Sequence, residues 1–235
     1  VIMWIIGHRG AAGTTPENTL ASIADALNCG VDWIEIDVRM IDDTIIVLHD
    51  ETLDRTTDGS GSVYKHTLAE LRSLDAGKGE KIPLLTEVMQ LIDARAGLNI
   101  EIKQHDVVDS LVTLIKPFIK QQPAWRDRLM FSSFMPKVMS QLSAVSTSGC
   151  LIGALSEANK GNAIPFATGL NAYSVNIPLK QLSQSMVYMA HERGLKVLVY
   201  TVNNVADIRR CYELSVDGIF TDFPDRSIAF IKNDL

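Results

Sequence analysis

Cysteine is scarce in this chain. Cys29, Cys150 and Cys211 are scattered, odd in number and form no CxxC pair. Such a set argues against a disulfide framework or a zinc site, and buried, reduced thiols are the expectation. A surplus of positive charge is missing too. Lys and Arg number 22 against 28 Asp and Glu, a formal net charge of −6. That argues against a broad nucleic-acid surface, though a local basic pocket is compatible with it. No apolar run reaches about 18 residues, so no transmembrane helix is expected. The opening Val1-Ile2-Met3-Trp4-Ile5-Ile6 is too short for a signal peptide and reads as a buried strand. The turn that follows, Gly10-Ala11-Ala12-Gly13-Thr14-Thr15-Pro16, lacks the GxGxxG fingerprint, which argues against a dinucleotide-binding open sheet. Internal repeats and low-complexity tracts are absent.

What the chain does have is regular alternation. Its 235 residues, 46% hydrophobic, suffice for a sizeable core. Strand-like runs fall at 2–6, 33–38, 98–102, 129–132, 149–153, 172–175, 196–201 and 218–221. Amphipathic stretches separate them. Leu20, Ile23, Ala24 and Leu27 keep helical spacing, with Asn18 as N-cap and Gly30 near the stop. Leu179, Leu182, Met186 and Met189 form a second stripe ending near Gly194, and Asn204 caps a helix carrying Val205, Ile208 and Leu214. Eight strands alternating with helices predict an α/β fold, a (β/α)8 TIM barrel, as one domain over 1–235. Residues 51–81, after a short strand-like run at 45–48, interrupt the alternation. They hold a turn cluster (56–61) and then Leu68, Leu71 and Leu74 at helical spacing. A long connection in a compact domain is usually functional, so 51–81 reads as a small insertion after the second strand that caps the barrel mouth.

Barrel active sites gather at the C-terminal strand ends. His8-Arg9-Gly10 ends the first strand, Glu35-Ile36-Asp37 lies in the second and Glu101-Ile102-Lys103 in the third, while His49-Asp50 ends the short run between them. Residues two apart on a strand share a face, so Glu35 projects with Asp37 and Glu101 with Lys103. Three carboxylates with no cysteine nearby suit a hard divalent ion. His8 and His49 can divide acid and base roles near neutral pH. Arg9 offers a bidentate fork to phosphate oxygens and Lys103 a point charge, each with a salt bridge to Glu17 or Glu101 as its plainer use. His66, His105 and His191 read as structural. His191 sits near a helix C-terminus, and His105 is close enough to Lys103 to line the mouth.

At these residues the chain resembles the glycerophosphodiester phosphodiesterase family. The motifs are His8-Arg9-Gly10, Pro16-Glu17-Asn18-Thr19, Glu35-Ile36-Asp37, His49-Asp50, Leu53-x-Arg55-Thr56-Thr57, Ile82-Pro83-Leu84-Leu85, Asn99-Ile100-Glu101-Ile102-Lys103, Tyr200-Thr201-Val202-Asn203 and Gly218-Ile219-Phe220-Thr221-Asp222. They span nearly the whole length. The resemblance implies a barrel hydrolase that splits glycerophosphodiesters into sn-glycerol 3-phosphate and an alcohol. Its metal ligands fall on Glu35, Asp37 and Glu101, its acid/base pair on His8 and His49, and its phosphate contacts on Arg9 and Lys103. One divalent cation is implied, Mg²⁺ or Ca²⁺, with Mn²⁺ a third candidate. A glycerol hydroxyl would attack phosphorus to give a cyclic phosphate that water then opens. Two departures stand out: Asp43-Thr44 replaces an Asp-Gly turn, and Tyr200 replaces a common Trp, keeping an aromatic on the glycerol side. The resemblance further implies the compact bacterial cytosolic type, with no nucleic acid and no stable membrane insertion. The preferred headgroup and self-association stay open.

Two rival readings are a lysophospholipase D-like enzyme and a non-catalytic phosphodiester-binding barrel. The first needs an apolar groove, for which Phe131, Phe134, Met135 and Met139 are candidates. The second needs a gap in the catalytic set, and there is none.

Overall fold

The computed structural model of the chain describes residues 3–145, 150–156 and 163–234. Nine strands form one sheet: β1 (Trp4–His8), β2 (Trp33–Ile41), β3 (Thr44–Val47), β4 (Gly97–Ile102), β5 (Leu129–Ser133), β6 (Leu151–Leu155), β7 (Ser174–Pro178), β8 (Lys196–Tyr200) and β9 (Gly218–Thr221). All neighbours pair in parallel except β3, which runs antiparallel to β2, and β1 pairs with both β9 and β2. Eight parallel strands thus close on themselves, and β3 extends β2 as a hairpin. The barrel and the extra strand after β2 are the architecture read from the sequence.

The strands that pack against helices on one face and each other on the opposite face divide their residues by alternation. Outward-facing Ile34, Ile36, Val38, Leu98 and Ile100 join the large cluster beneath the helices. Inward-facing Ile6, Trp33, Met130, Leu198 and Phe220 fill the barrel itself. Gly97 is required there, because a Cβ would stand 2.2 Å from the Trp33 ring.

Helix α1 (Leu20–Cys29) ends as expected on Gly30 at φ 83°, in the left-handed region open to glycine. Its N-cap is Thr19, whose side chain accepts from the Ser22 amide, and not Asn18. Asn18 turns inward instead, donating Nδ2 to Asp37 Oδ2 at 2.8 Å and accepting the Asp37 amide at 3.2 Å. The stripe from Leu179 to Met189 is two elements: a 3₁₀ turn (Leu179–Gln181) and a helix (Gln184–His191) capped by Ser183, with Met189 exposed. A second local cap competes with a continuous helix there. Asn204 caps its helix as read, accepting from the Asp207 amide at 3.0 Å. The β2–β3 turn lies one residue earlier than expected, on Asp42 (φ 47°) and Asp43 (φ 57°). The run read at 172–175 begins two residues late, at Ser174, because Ala172 belongs to the preceding turn through its amide bond to the Ala167 carbonyl; Ile2 and Gly149, the expected starts of two other strands, lie outside the described residues.

Residues 51–81 contain a bridge between Thr52 and Ser62 and the helix Leu68–Ser73, capped by Thr67 with Glu70. Leu53, Val63, Leu71, Ala76 and Ile82 pack with Ile41, Ile46 and Leu48 into a small separate cluster.

At the opposite barrel end, Asp217 accepts from Lys196 Nζ at 2.8 Å, from the Val197 amide at 2.8 Å and pairs with His191 Nε2 at 2.7 Å. His191 is therefore held by a carboxylate and not merely by a helix end. Burial works against ionisation of Asp217, yet these bonds hold its pKa below the ordinary value. A depressed carboxyl contributes stability above its unfolded pKa near 3.9, and that contribution fades as pH falls through the folded value. Asp217→Asn should therefore cost about 1.5–3 kcal/mol at pH 7, the range for bonds to a charged group. Denaturant unfolding at pH 7 and pH 3 checks this: the gap to wild type should narrow at pH 3, and an equal gap at both would refute the ionic account.

Candidate active site

Strand register brings the acidic residues together. His8 pairs with Glu35, Glu35 with Asn99 and Asp37 with Glu101 across β1, β2 and β4. Glu35, Asp37 and Glu101 are all buried, and one oxygen from each lies within 4.8 Å of the others. Asp37 has two cations beside it. Its Oδ2 takes Asn18 and lies 3.2 Å from Arg9 Nε, and its Oδ1, which makes no hydrogen bond, forms an ion pair with Lys103 Nζ at 3.1 Å. Burial opposes ionisation of Asp37, but Lys103 and Arg9 prevail and lower its pKa.

Glu35 is not so supplied. Its Oε2 accepts the Arg9 amide at 2.9 Å, but its Oε1 is buried with no hydrogen-bond partner. Burial, reinforced by the Asp37 charge, pushes the Glu35 carboxyl up to about 8. The same two causes raise Glu101, although Lys103 bonds to it directly. An oxygen-only donor set containing an orphaned buried carboxylate atom fits a divalent cation, which would offset the mutual repulsion.

Both histidines present Nδ1 to a carboxylate. His8 Nδ1 lies 2.7 Å from Asp222 Oδ1, and His49 Nδ1 lies 2.5 Å from Asp50 Oδ1. Such a partner fixes ring orientation and leaves Nε2 for the cleft. His8 Nε2 lies 3.9 Å from Glu35 Oε2. Burial would lower both histidine pKa values. At His8 the Asp222 bond and the Glu35 charge more than offset it, whereas at His49 the outcome stays below 6.5.

A cleft opens over these groups. His8, Arg9, Glu35, His49, Glu101 and Lys103 line it together with the apolar Phe134, Leu155, Tyr200 and Phe220. Tyr200 stacks edge-on with Phe134 and Phe220, and its hydroxyl donates to the Ser156 carbonyl at 3.4 Å. Arg9 sits at φ 53°, a left-handed conformation that turns its amide toward Glu35.

Comparison with known proteins settles the family. Residues 8–226 match the family model described as the glycerophosphoryl diester phosphodiesterase family. The chain belongs to this family. A glycerophosphodiester phosphodiesterase of Caldanaerobacter subterraneus subsp. tengcongensis is 34% identical over 97% of each chain. One from Bacillus subtilis is 33% identical over 94% of this chain and 83% of its own. Among solved structures, an Oleispira antarctica phosphodiesterase in complex with the product sn-glycerol-3-phosphate superposes with a TM-score of 0.88, at 31% identity over 98% of this chain and 97% of that one. A glycerophosphodiester phosphodiesterase from Agrobacterium tumefaciens gives 0.83 at 30% identity, over 97% and 100% of the two chains.

Within this family member, His8, Arg9, Glu35, His49, Glu101, Lys103 and Tyr200 all line the cleft, and Asp37 clusters with Glu35 and Glu101. The plainer uses of the cations coexist with that placement: Arg9 Nη1 donates to Glu17 at 2.7 Å, and Lys103 bonds Glu101. His105 is exposed and not among the residues lining the cleft, while His66 bonds the Ser62 carbonyl. Sequence reasoning gave Asn18 only a capping role and gave none to Asp50, Asp222 or Asn203, yet all four hold the site residues. Asn203 donates to Asp222 Oδ2 at 2.6 Å. Arg39 was missed altogether. It is buried two residues beyond Asp37, and its guanidinium donates to the His49 carbonyl at 2.7 and 3.1 Å and to the Tyr64 hydroxyl at 2.7 Å. The E-x-D period, extended by two, was the available signal.

Proposed function

We propose that this chain hydrolyses glycerophosphodiesters to sn-glycerol 3-phosphate and an alcohol, with Glu35, Asp37 and Glu101 holding one Mg²⁺ or Ca²⁺. The observation that carries the metal assignment is the buried three-carboxylate cluster with the unpartnered Glu35 Oε1. Family membership and the likeness to the product-bound Oleispira antarctica phosphodiesterase support the substrate class. The cation, when bound, supplies electrostatic stabilisation of phosphoryl oxygens.

The protein's own residues do the rest. Arg9 and Lys103, which both line the cleft, fix the phosphate and offset its charge. One histidine Nε2 takes the proton of the glycerol hydroxyl as that oxygen bonds to phosphorus. The other gives its proton to the departing alcohol oxygen. The pair then exchange roles as water opens the cyclic phosphate. Tyr200 and its aromatic neighbours offer an apolar wall to the glycerol side. Residues 51–81 cap the mouth as an insertion in one domain spanning 1–235. Three free cysteines suit a reducing compartment, and we place the protein in the cytoplasm. No helix among the described residues is long and apolar enough to cross a membrane.

The lysophospholipase reading is disfavoured by packing. Phe131 and Met139 are buried in the core, Met135 packs against it, and only Phe134 of the four candidates reaches the mouth. Positioning of the attacking hydroxyl is worth several orders of magnitude, whereas a loosely held alcohol adds little discrimination. Glycerophosphocholine, glycerophosphoethanolamine and glycerophosphoglycerol should be cleaved with similar kcat/KM. Rapid hydrolysis of bis(p-nitrophenyl) phosphate with little action on any of the three would overturn the proposal.

A further inference from the structure

Arg55, at the heart of the Leu53-x-Arg55-Thr56-Thr57 motif, takes no part in the chemistry above, yet its side chain is fully committed. Its Nη1 and Nη2 donate to the two Glu17 oxygens at 2.6 and 2.8 Å. Its Nε and Nη2 donate to the two Asp50 oxygens at 2.6 and 3.0 Å. Each carboxylate passes the contact on: Glu17 Oε1 accepts Arg9 Nη1 at 2.7 Å, and Asp50 Oδ1 holds His49 Nδ1 at 2.5 Å. An unbroken chain Arg9–Glu17–Arg55–Asp50–His49 therefore joins a side chain at the end of β1 to one beyond β3.

The geometry does not suit a mere stability role. The Arg55 side chain is 47% exposed, and exposed ion pairs contribute little to folding. Its loop is held without it. Leu53 is fully buried, its amide donates to the Gly61 carbonyl at 2.9 Å, and the Thr57 amide and hydroxyl both donate to the Leu53 carbonyl. Arg55 thus reaches from a preset backbone, and its planar fork addresses two carboxylates bidentately, which an ammonium cannot do. What this fixes is the distance and orientation between Arg9 and His49.

We propose that Arg55 is a positioning residue that sets Arg9 and His49 in register across the mouth. The inference rests on the phosphodiesterase reading of the site. Because misplacement by about 1 Å can cost about 10²-fold in rate, Arg55→Ala should lower kcat on glycerophosphocholine about 10- to 100-fold. Its melting temperature should stay within about 4 °C of wild type, as for loss of an exposed pair. Guanidinium ion added to Arg55→Ala should restore part of kcat by occupying the vacated place between Glu17 and Asp50. Arg55→Lys, which keeps stem and charge, should fold and stay about tenfold slow or worse. Wild-type kcat in Arg55→Ala or Arg55→Lys overturns the inference, as does a loss that follows a fallen melting temperature and resists guanidinium. His49→Ala is the reference. If it is slow while Arg55→Ala is fully active, only the role of Arg55 fails; if His49→Ala keeps the wild-type rate, His49 leaves the mechanism and the inference falls with it, whereas wild-type protein inert on glycerophosphocholine defeats the functional reading itself.

Discussion

Replacing either His8 or His49 with Ala is expected to slow glycerophosphodiester hydrolysis about 10²–10⁴-fold, the usual reach of general acid–base catalysis. The loss should be chemical and not structural. The two imidazoles are 21% and 31% exposed, and neither belongs to a hydrophobic cluster, so truncation leaves the barrel packing intact. Each ring is aimed by a carboxylate on Nδ1, Asp222 for His8 and Asp50 for His49. Proton removal from the nucleophile and proton delivery to the leaving oxygen belong to one event, so the double variant should lose less than the product of the single losses. Steady-state rates of the three variants, with circular dichroism to confirm folding, test this. An unchanged rate in either folded single variant would remove that histidine from the mechanism.

The residues that do the chemistry were legible because strand periodicity is local. Glu35 and Asp37 lie two apart, as do Glu101 and Lys103, and each pair must share a face wherever its strand sits. What was not legible is whatever depends on register between distant strands. Asp222 meets His8 only because β9 lies beside β1 with Gly7 opposite Thr221, a pairing across more than two hundred residues that no spacing reveals. Asn18 shows a different failure. A polar residue just before a helical stripe reads as a cap, but Thr19 next to it serves equally, and tertiary contact with Asp37 decides between them. The start of β7 slipped by two residues for a related reason: Ala172 is apolar and partly buried against the core, so hydropathy counts it with the strand it precedes. Arg39 is the most instructive omission. The alternation of Glu35 and Asp37 puts it on their face but does not say what it binds, and its use appears only once the His49 carbonyl folds back over β2.

Stripping divalent ions is expected to abolish turnover, and Mg²⁺ or Ca²⁺ to restore it. The electrostatics of the cluster require a counterion that the protein does not fully provide. Both nearby cations serve Asp37, with Arg9 Nε at 3.2 Å and Lys103 Nζ at 3.1 Å. Lys103 also serves Glu101, but Glu35 has only a backbone amide and, at 3.9 Å, His8 Nε2 on one oxygen and no hydrogen bond on the other. Buried carboxylates in that condition are costly unless paired or ligated to a metal. Ion binding should therefore register in stability independently of activity. At a hundredfold excess over its Kd, a ligand that binds only the folded state contributes about 2.7 kcal/mol. For a chain of this length that is a rise in melting temperature of about 5–11 °C. Glu35→Gln keeps the side-chain shape but removes the charge, and it should lose both the ion-dependent rise and turnover. Thermal melts of the chelated protein with and without Mg²⁺, Ca²⁺ or Mn²⁺ read the first, and rate assays read the second. Full activity after chelation, or a melting temperature indifferent to all three ions in the wild-type protein, would show that Glu35, Asp37 and Glu101 do not form a metal site.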